Sequence, residues 1–210
     1  MLRFVNFKKG YTDFPVLEID DLAVEHGIYW IKGGNGSGKS TLLKTIAGIL
    51  HFEGDILLNN SISIKKQTLP YRKLVNFAEA EPVFPEFLTG REMILMFSRA
   101  KGAIRGQEDE YIAGMCMQPY IDLPLGTYSS GMLKKLSLVL AFIGNAELIL
   151  LDEPLITIDV ESLATLYGWI TKKYEQHKTS FILASHQSLD DAGLPVFREA
   201  LIEQQQLKFI

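Results

Sequence analysis

The chain has 210 residues, 47% hydrophobic and 22% charged, a balance that excludes a disordered or collagen-like polymer and suffices for one domain around a buried core. A formal charge of −4 and a pI near 5.6 give no global positive field for nucleic acid or an anionic membrane surface. The single cysteine, Cys116, excludes an internal disulfide, and the longest apolar stretch, 136–151, is interrupted by Ser137, Gly144, Asn145 and Glu147 and falls short of a membrane span.

From the N-terminus, residues 1–32 alternate apolar and polar positions, as in Leu2-Arg3-Phe4-Val5-Asn6-Phe7 and Val16-Leu17-Glu18-Ile19, which predicts half-buried antiparallel strands. No continuous apolar core follows Arg3, so no signal peptide is expected. Ile28-Tyr29-Trp30-Ile31 then forms a strand leading into Gly33-Gly34-Asn35-Gly36-Ser37-Gly38-Lys39-Ser40, which fits the phosphate-loop pattern GxxxxGK(S/T) at every fixed position. After it Leu42, Leu43, Ile46, Ile49 and Leu50 recur at helical spacing. A second strand pair is expected over 54–64, turning at Asn59-Asn60. Between 85 and 125 the pattern turns helical, with Gly102, Gly106 and Pro119 as breaks. This predicts a helical lobe at 85–125 inserted into a single domain at 1–210, the core being 1–84 and 126–210. The last third alternates helices with short apolar strands at 148–151 and 180–184, the pattern of a mostly parallel sheet with helices on both faces, hence an α/β fold. Residues 204–210 form either an edge strand or a loose tail.

The phosphate loop points to a nucleoside triphosphate. Its glycines let backbone N–H groups turn inward, Lys39 supplies a mobile positive charge for the β/γ-phosphates, and the Ser40 hydroxyl is placed to ligate Mg²⁺. The strand at 148–151 ends in Asp152-Glu153, two adjacent carboxylates that suggest a metal site. Strand alternation would send Asp152 toward Mg²⁺ and Glu153 toward an attacking water. Ser129-Ser130-Gly131-Met132 opens an amphipathic helix carrying Leu133, Leu136, Val139, Leu140 and Ile143, which makes either a second anion site or a simple helix cap.

Phosphate loop, Tyr128-Ser129-Ser130-Gly131-Met132, Asp152-Glu153, Asp159 and then His186 after another strand: this series resembles the ATP-binding cassette (ABC) ATPases over nearly the whole chain. Tyr128 to Met132 matches the signature usually written LSGGQ, with Ser129 and Gly131 agreeing and Tyr128, Ser130 and Met132 departing. The resemblance implies a P-loop NTPase with an N-terminal antiparallel β part and an inserted helical lobe. It implies hydrolysis of ATP with Mg²⁺ in a head-to-tail dimer, each ATP lying between the phosphate loop of one subunit and the signature serine of the other. The ATP-binding positions would be Gly33, Asn35, Gly36, Ser37, Gly38, Lys39, Ser40 and Thr41, with Ser129, Gly131 and Asp159 contributing across the interface. Ser40 and Asp152 correspond to the Mg²⁺-associated residues, Glu153 to the catalytic glutamate and His186 to the histidine near the γ-phosphate. Tyr11 falls where the family stacks an aromatic on adenine, with Lys9 just before it and Phe14 as competitor. One departure stands out: Ala80 occupies the place of a glutamine that contacts Mg²⁺ and links the site to the transport partner, leaving water, Glu79 or Glu81 to close the metal shell.

The implied protein is the nucleotide-binding subunit of an ABC transporter, more like exporter-type subunits, paired in a homodimer or heterodimer and acting on a separate transmembrane permease. It would be cytoplasmic and peripheral on the inner face of the cell membrane. The alternative is a soluble ABC ATPase acting on a protein assembly or on nucleic acid, the latter disfavoured by the acidic pI. A GTPase or small-molecule kinase lacks support, because no Asn-Lys-x-Asp segment or acceptor lid is present.

Overall fold

A computed structural model describes residues 1–11, 14–186, 194 and 198–210. Strands β1 (Leu2–Tyr11) and β2 (Phe14–Val24) form an antiparallel hairpin. Alternation buries Leu2, Phe4, Leu17 and Ile19 and leaves Arg3 and Asp21 outside as an ion pair, while a slip of register at Asn6, at φ 47°, turns Phe7 inward as well. The next strand, β3 (Ile28–Lys32), does not continue that hairpin. It lies in a second sheet, parallel to its neighbours. Strands β4 (Glu53–Leu58) and β5 (Ile62–Ser63) complete the first sheet, in the order β2-β1-β4-β5, and Asn59 and Asn60 turn between them at positive φ.

The second sheet has the order β10-β9-β3-β8-β7-β6. In it β6 (Val75–Ala78), β7 (Leu148–Asp152), β8 (Ser180–Ala184) and β9 (Arg198–Glu203) run parallel with β3, and β10 (Gln206–Phe209) closes the edge antiparallel. The C-terminal segment is therefore an edge strand, turned at Gln204 and Gln205, both at positive φ.

The central strands are buried on both sides, so alternation sends successive residues into two different cores. Ile28, Trp30, Ile149, Leu151, Phe181 and Leu183 meet helices α3 (Gly90–Lys101), α4 (Gln107–Gly114), α5 (Ser130–Phe142) and α6 (Val160–His177). Tyr29, Ile31, Leu148, Leu150 and Ile182 face the other way, onto α1 (Lys39–Ile46), Tyr71 of α2 (Thr68–Leu74) and the antiparallel sheet.

Two helices differ from expectation. Helix α1 stops at Ile46 instead of reaching Leu50, because Gly48 turns the chain out at φ 74° and Ile49 is exposed. Helix α5 is not amphipathic along its length: from Leu136 to Phe142 every residue is buried, since it is covered by α3 and α4 and also seated on β6 and β7. Gly102 and Gly106 break the lobe where expected, both left-handed. No helix among the described residues is long and apolar enough to cross a membrane.

Candidate nucleotide site

Beyond Lys32 the chain wraps through residues 33–38 before α1 begins at Lys39. Gly38 has φ 104°, and a Cβ there would lie 2.9 Å from Val16 Cγ1 on β2, so glycine serves both the turn and the close approach. A Cβ on Gly33 would lie 2.5 Å from Ser37 Oγ. Asn35 and Gly36 form the exposed tip, and the Ser37 amide donates to the Gly34 carbonyl at 3.1 Å. No side chain caps α1, and no acid lies in its first turn, where Ser40 and Thr41 sit. No residue of α1 itself therefore neutralises the positive end of its dipole. Lys39 is 7% exposed, its ammonium held by the Gly33 and Gly34 carbonyls at 2.6 and 3.1 Å.

Asp152 is the last residue of β7, paired with Ala184 of β8 and 1% exposed. Ser40 Oγ donates to its Oδ1 at 3.1 Å, while Oδ2 is buried with no hydrogen-bond partner among the described residues. Burial pushes this carboxyl above the ordinary range, against the opposing pull of the Ser40 hydrogen bond and the Lys134 charge. A buried carboxylate oxygen with an open lone pair beside a serine hydroxyl suits a hard cation. Mg²⁺ takes one or two protein oxygens and fills its shell with phosphate and water. On that chemistry the Ser40 hydroxyl and the open Asp152 oxygen fit Mg²⁺.

Alternation does not direct Glu153. The strand ends one residue earlier, Glu153 takes φ 43°, and its amide donates to the Ala184 carbonyl at 2.8 Å. The turn places its Oε2 3.0 Å from His186 Nδ1, just beyond the parallel strand β8. Both carboxylates and the histidine thus gather at the carboxyl ends of neighbouring strands, where open α/β sheets bind ligands.

A second group lies around the start of α5. Ser129 Oγ accepts from the Met132 amide at 3.2 Å, and the buried Tyr128 donates its hydroxyl to the Tyr120 carbonyl at 2.8 Å. A Cβ on Gly131 would come within 2.9 Å of the Thr157 carbonyl, so α5 starts tight against the loop after β7. Asp159 caps α6 by accepting from the Ser162 amide at 2.8 Å and pairs with Lys135 at 2.6 Å. The Lys135 hydrogen bond, with the Ser162 amide, holds its carboxyl well below the ordinary range. Among the described residues no hydrogen bond or ion pair joins Ser129, Gly131 or Asp159 to the phosphate loop.

Tyr11 and Phe14 face each other where β1 ends and β2 begins, 48% and 77% exposed, and the Lys9 ammonium sits 4.3 Å from the Tyr11 ring centroid. Ala80 offers no side-chain ligand. Glu79 is ion-paired to Lys44, one turn along α1 from Ser40. Sequence reasoning missed this pair, the Lys135–Asp159 pair and the buried Lys134. Burial pulls the Lys134 ammonium down to about 8, against the upward pull of Asp152, Glu153 and Glu79. A signal was present: Lys134 shares a helix face with Leu138 and Ala141, four and seven residues on.

The profile of the ABC transporter family matches residues 20–156. The cytochrome c biogenesis ATP-binding export protein CcmA of Legionella pneumophila is 34% identical over 198 residues, covering 90% of this chain and 94% of that one. The phospholipid-transporting ATPase ABCA3 of Homo sapiens is 28% identical over 201 residues, 92% of this chain and 12% of that protein. Among solved structures, the ATP-binding subunit of an ABC transporter superposes with a TM-score of 0.87 at 22% identity, covering 99% of this chain and 88% of that one. A dimeric ATP-binding cassette in a post-hydrolysis state with ADP and Pi gives 0.81 at 20% identity, covering 99% and 96%.

Proposed function

The chain belongs to the ABC transporter family, as an ATP-binding and ATP-hydrolysing subunit, and we propose that the two residue groups described above are the two halves of its ATP site. The observation that carries this is the convergence of the phosphate loop, the Ser40–Asp152 contact and the Glu153–His186 contact at one end of the parallel sheet.

In this reading the loop amides, Lys39, Ser40 and Thr41 bind the triphosphate and Tyr11 stacks on adenine. Glu153 takes a proton from the attacking water at its carboxylate, and His186 fixes that carboxylate's orientation and faces the γ-phosphate. Ser40 and Asp152 would hold Mg²⁺, which when bound neutralises charge on the phosphate oxygens. Ser129 and Gly131 close the site on a second subunit, in a homodimer or with another ABC subunit, and Asp159 touches that partner.

The force of closure passes to a separate transmembrane permease, which places the protein on the inner face of the membrane. Export is the favoured direction, since the Legionella relative is named as an export protein. A native pull-down of the tagged protein from detergent-solubilised membranes tests this. A stoichiometric multi-span membrane protein is the expected result, and purely soluble partners would sink the transport assignment.

A further inference from the structure

The loop that leaves β6 is bound to the nucleotide site by contacts that none of the roles above employs. Lys134 Nζ lies 2.9 Å from the Glu79 carbonyl, 3.3 Å from the Ala80 carbonyl and 2.7 Å from the Asp152 carbonyl, in a residue only 1% exposed. An ammonium has three N–H donors, and here three carbonyls accept them. It makes no ion pair with a carboxylate among the described residues. Burying this charge is costly, and an apolar side chain would fill the inner face of α5 without that cost. What the lysine adds is a fixed relation between the end of β7 and the start of the loop after β6. A second tie runs from the same loop to α1, where Lys44 pairs with Glu79 one turn beyond Ser40. Downstream the loop carries Val83 and Phe87, both exposed, before α3 begins at Gly90.

We propose that Lys134, together with the Lys44–Glu79 pair, is the positioning element that locks Glu79 and Ala80, the start of the loop that runs on to residue 87, to Asp152 and to the phosphate-loop helix. Movement of either on nucleotide binding is then carried to the exposed loop, with no ligand needed from the side chain at position 80. The proposal rests on the nucleotide-site assignment made above.

Hydrogen exchange of the full chain, with and without Mg²⁺ and a non-hydrolysable ATP analogue, tests it alongside a direct binding measurement. In wild type the nucleotide should slow exchange over 79–87 by about threefold or more. K134M should lose that response while binding the analogue within about threefold of wild type, and E79Q should weaken it. Adding A80Q to K134M should restore part of it, by supplying a side-chain link where the lysine link is gone. If wild type binds no analogue, the site assignment fails. If it binds and the loops of K134M and E79Q still respond as wild type does, the positioning proposal alone is overturned. Should K134M not fold, E79Q decides between the outcomes, because it breaks the ion pair without entering the core.

Discussion

The two helix N-termini that carry the motif glycines differ in what they leave open. Among the described residues no side chain caps α1, a lysine ammonium lies in the loop, and one oxygen of the neighbouring Asp152 has no partner. At α5 the polar groups are already engaged within the chain: Ser129 caps the helix, and Asp159 serves both α6 and Lys135. The first end is prepared for a ligand on its own. In the proposed reading the second is half a site, oriented but with little unsatisfied among the described residues. Its cap does not exclude a ligand, because a serine hydroxyl that accepts from the Met132 amide still has its O–H to donate to an anion. Under the proposed function, the same hydrogen bond that stabilises α5 in one chain would aim Ser129 for use by another.

The largest effects should fall at the first end. Glu153→Gln should lower kcat by about 100-fold or more, the scale of lost general-base catalysis, while ATP affinity stays within about threefold and ATP-dependent dimers persist on light scattering. A loss in kcat below about threefold would remove Glu153 from the reaction. At the second end, Ser129→Asp separates the two uses of the serine. Aspartate caps a helix as well as serine does, so the melting temperature should hold. A carboxylate facing a phosphate should nonetheless abolish ATP-dependent dimers and cut turnover by about 30-fold. Ser129→Ala should instead lose about 1 kcal/mol of stability with the cap. Full activity in the aspartate variant would make Ser129 a cap and nothing more.

This difference also decided what could be read from sequence. The phosphate loop was legible because each of its residue types answers a local demand: at Gly38, the positive φ and the contact with Val16. Strands β7 and β8 were legible as apolar runs ending in polar residues, and the structure brings those ends together. Glu153 shows the limit, since its direction depends on a single backbone dihedral past the strand, which periodicity cannot see. Helix α2 and strand β6, seven and four residues long, are too short for a period to register. Lys44–Glu79 and Lys135–Asp159 are long-range pairings between elements, so no local pattern announces them, whereas Lys134 shows locally as a lysine on an apolar helix face but its carbonyl partners lie on other elements.

The hairpin end offers a smaller test of how much of the first site lies in one chain. Stacking is worth about 0.5–1.5 kcal/mol, so Tyr11→Ala should raise the KM for ATP by about threefold to tenfold, and Phe14→Ala by less than about twofold. The reverse ranking would transfer the adenine contact to Phe14, and equal small effects would leave adenine unstacked by this hairpin.

The smallest effect tests whether Asp159 is truly engaged within the chain. Its folded-state pKa is depressed below the ordinary 3.8, first by Lys135 and then by the Ser162 amide. A depressed carboxyl contributes stability that is fully present above the unfolded value and is lost as pH falls through the folded one. Asp159→Asn keeps a helix-capping oxygen and loses the charge, so at pH 7 it should cost only about 0.5 kcal/mol, the scale of a solvent-screened pair. Asp159→Ala should cost about 1 kcal/mol more through the lost cap. In urea melts the gap between wild type and Asp159→Asn should stay constant from pH 7 down to about 4, then close as the aspartate protonates. The Ala gap should shrink less, because part of it is a cap that a neutral carboxyl still provides. A wild-type to Asn gap that does not change with pH would mean that the Lys135 pair contributes nothing to the isolated chain. Asp159 would then serve the chain only as the cap of α6 through Ser162, and the asymmetry between the two ends would rest on the Ser129 and Asp159 caps.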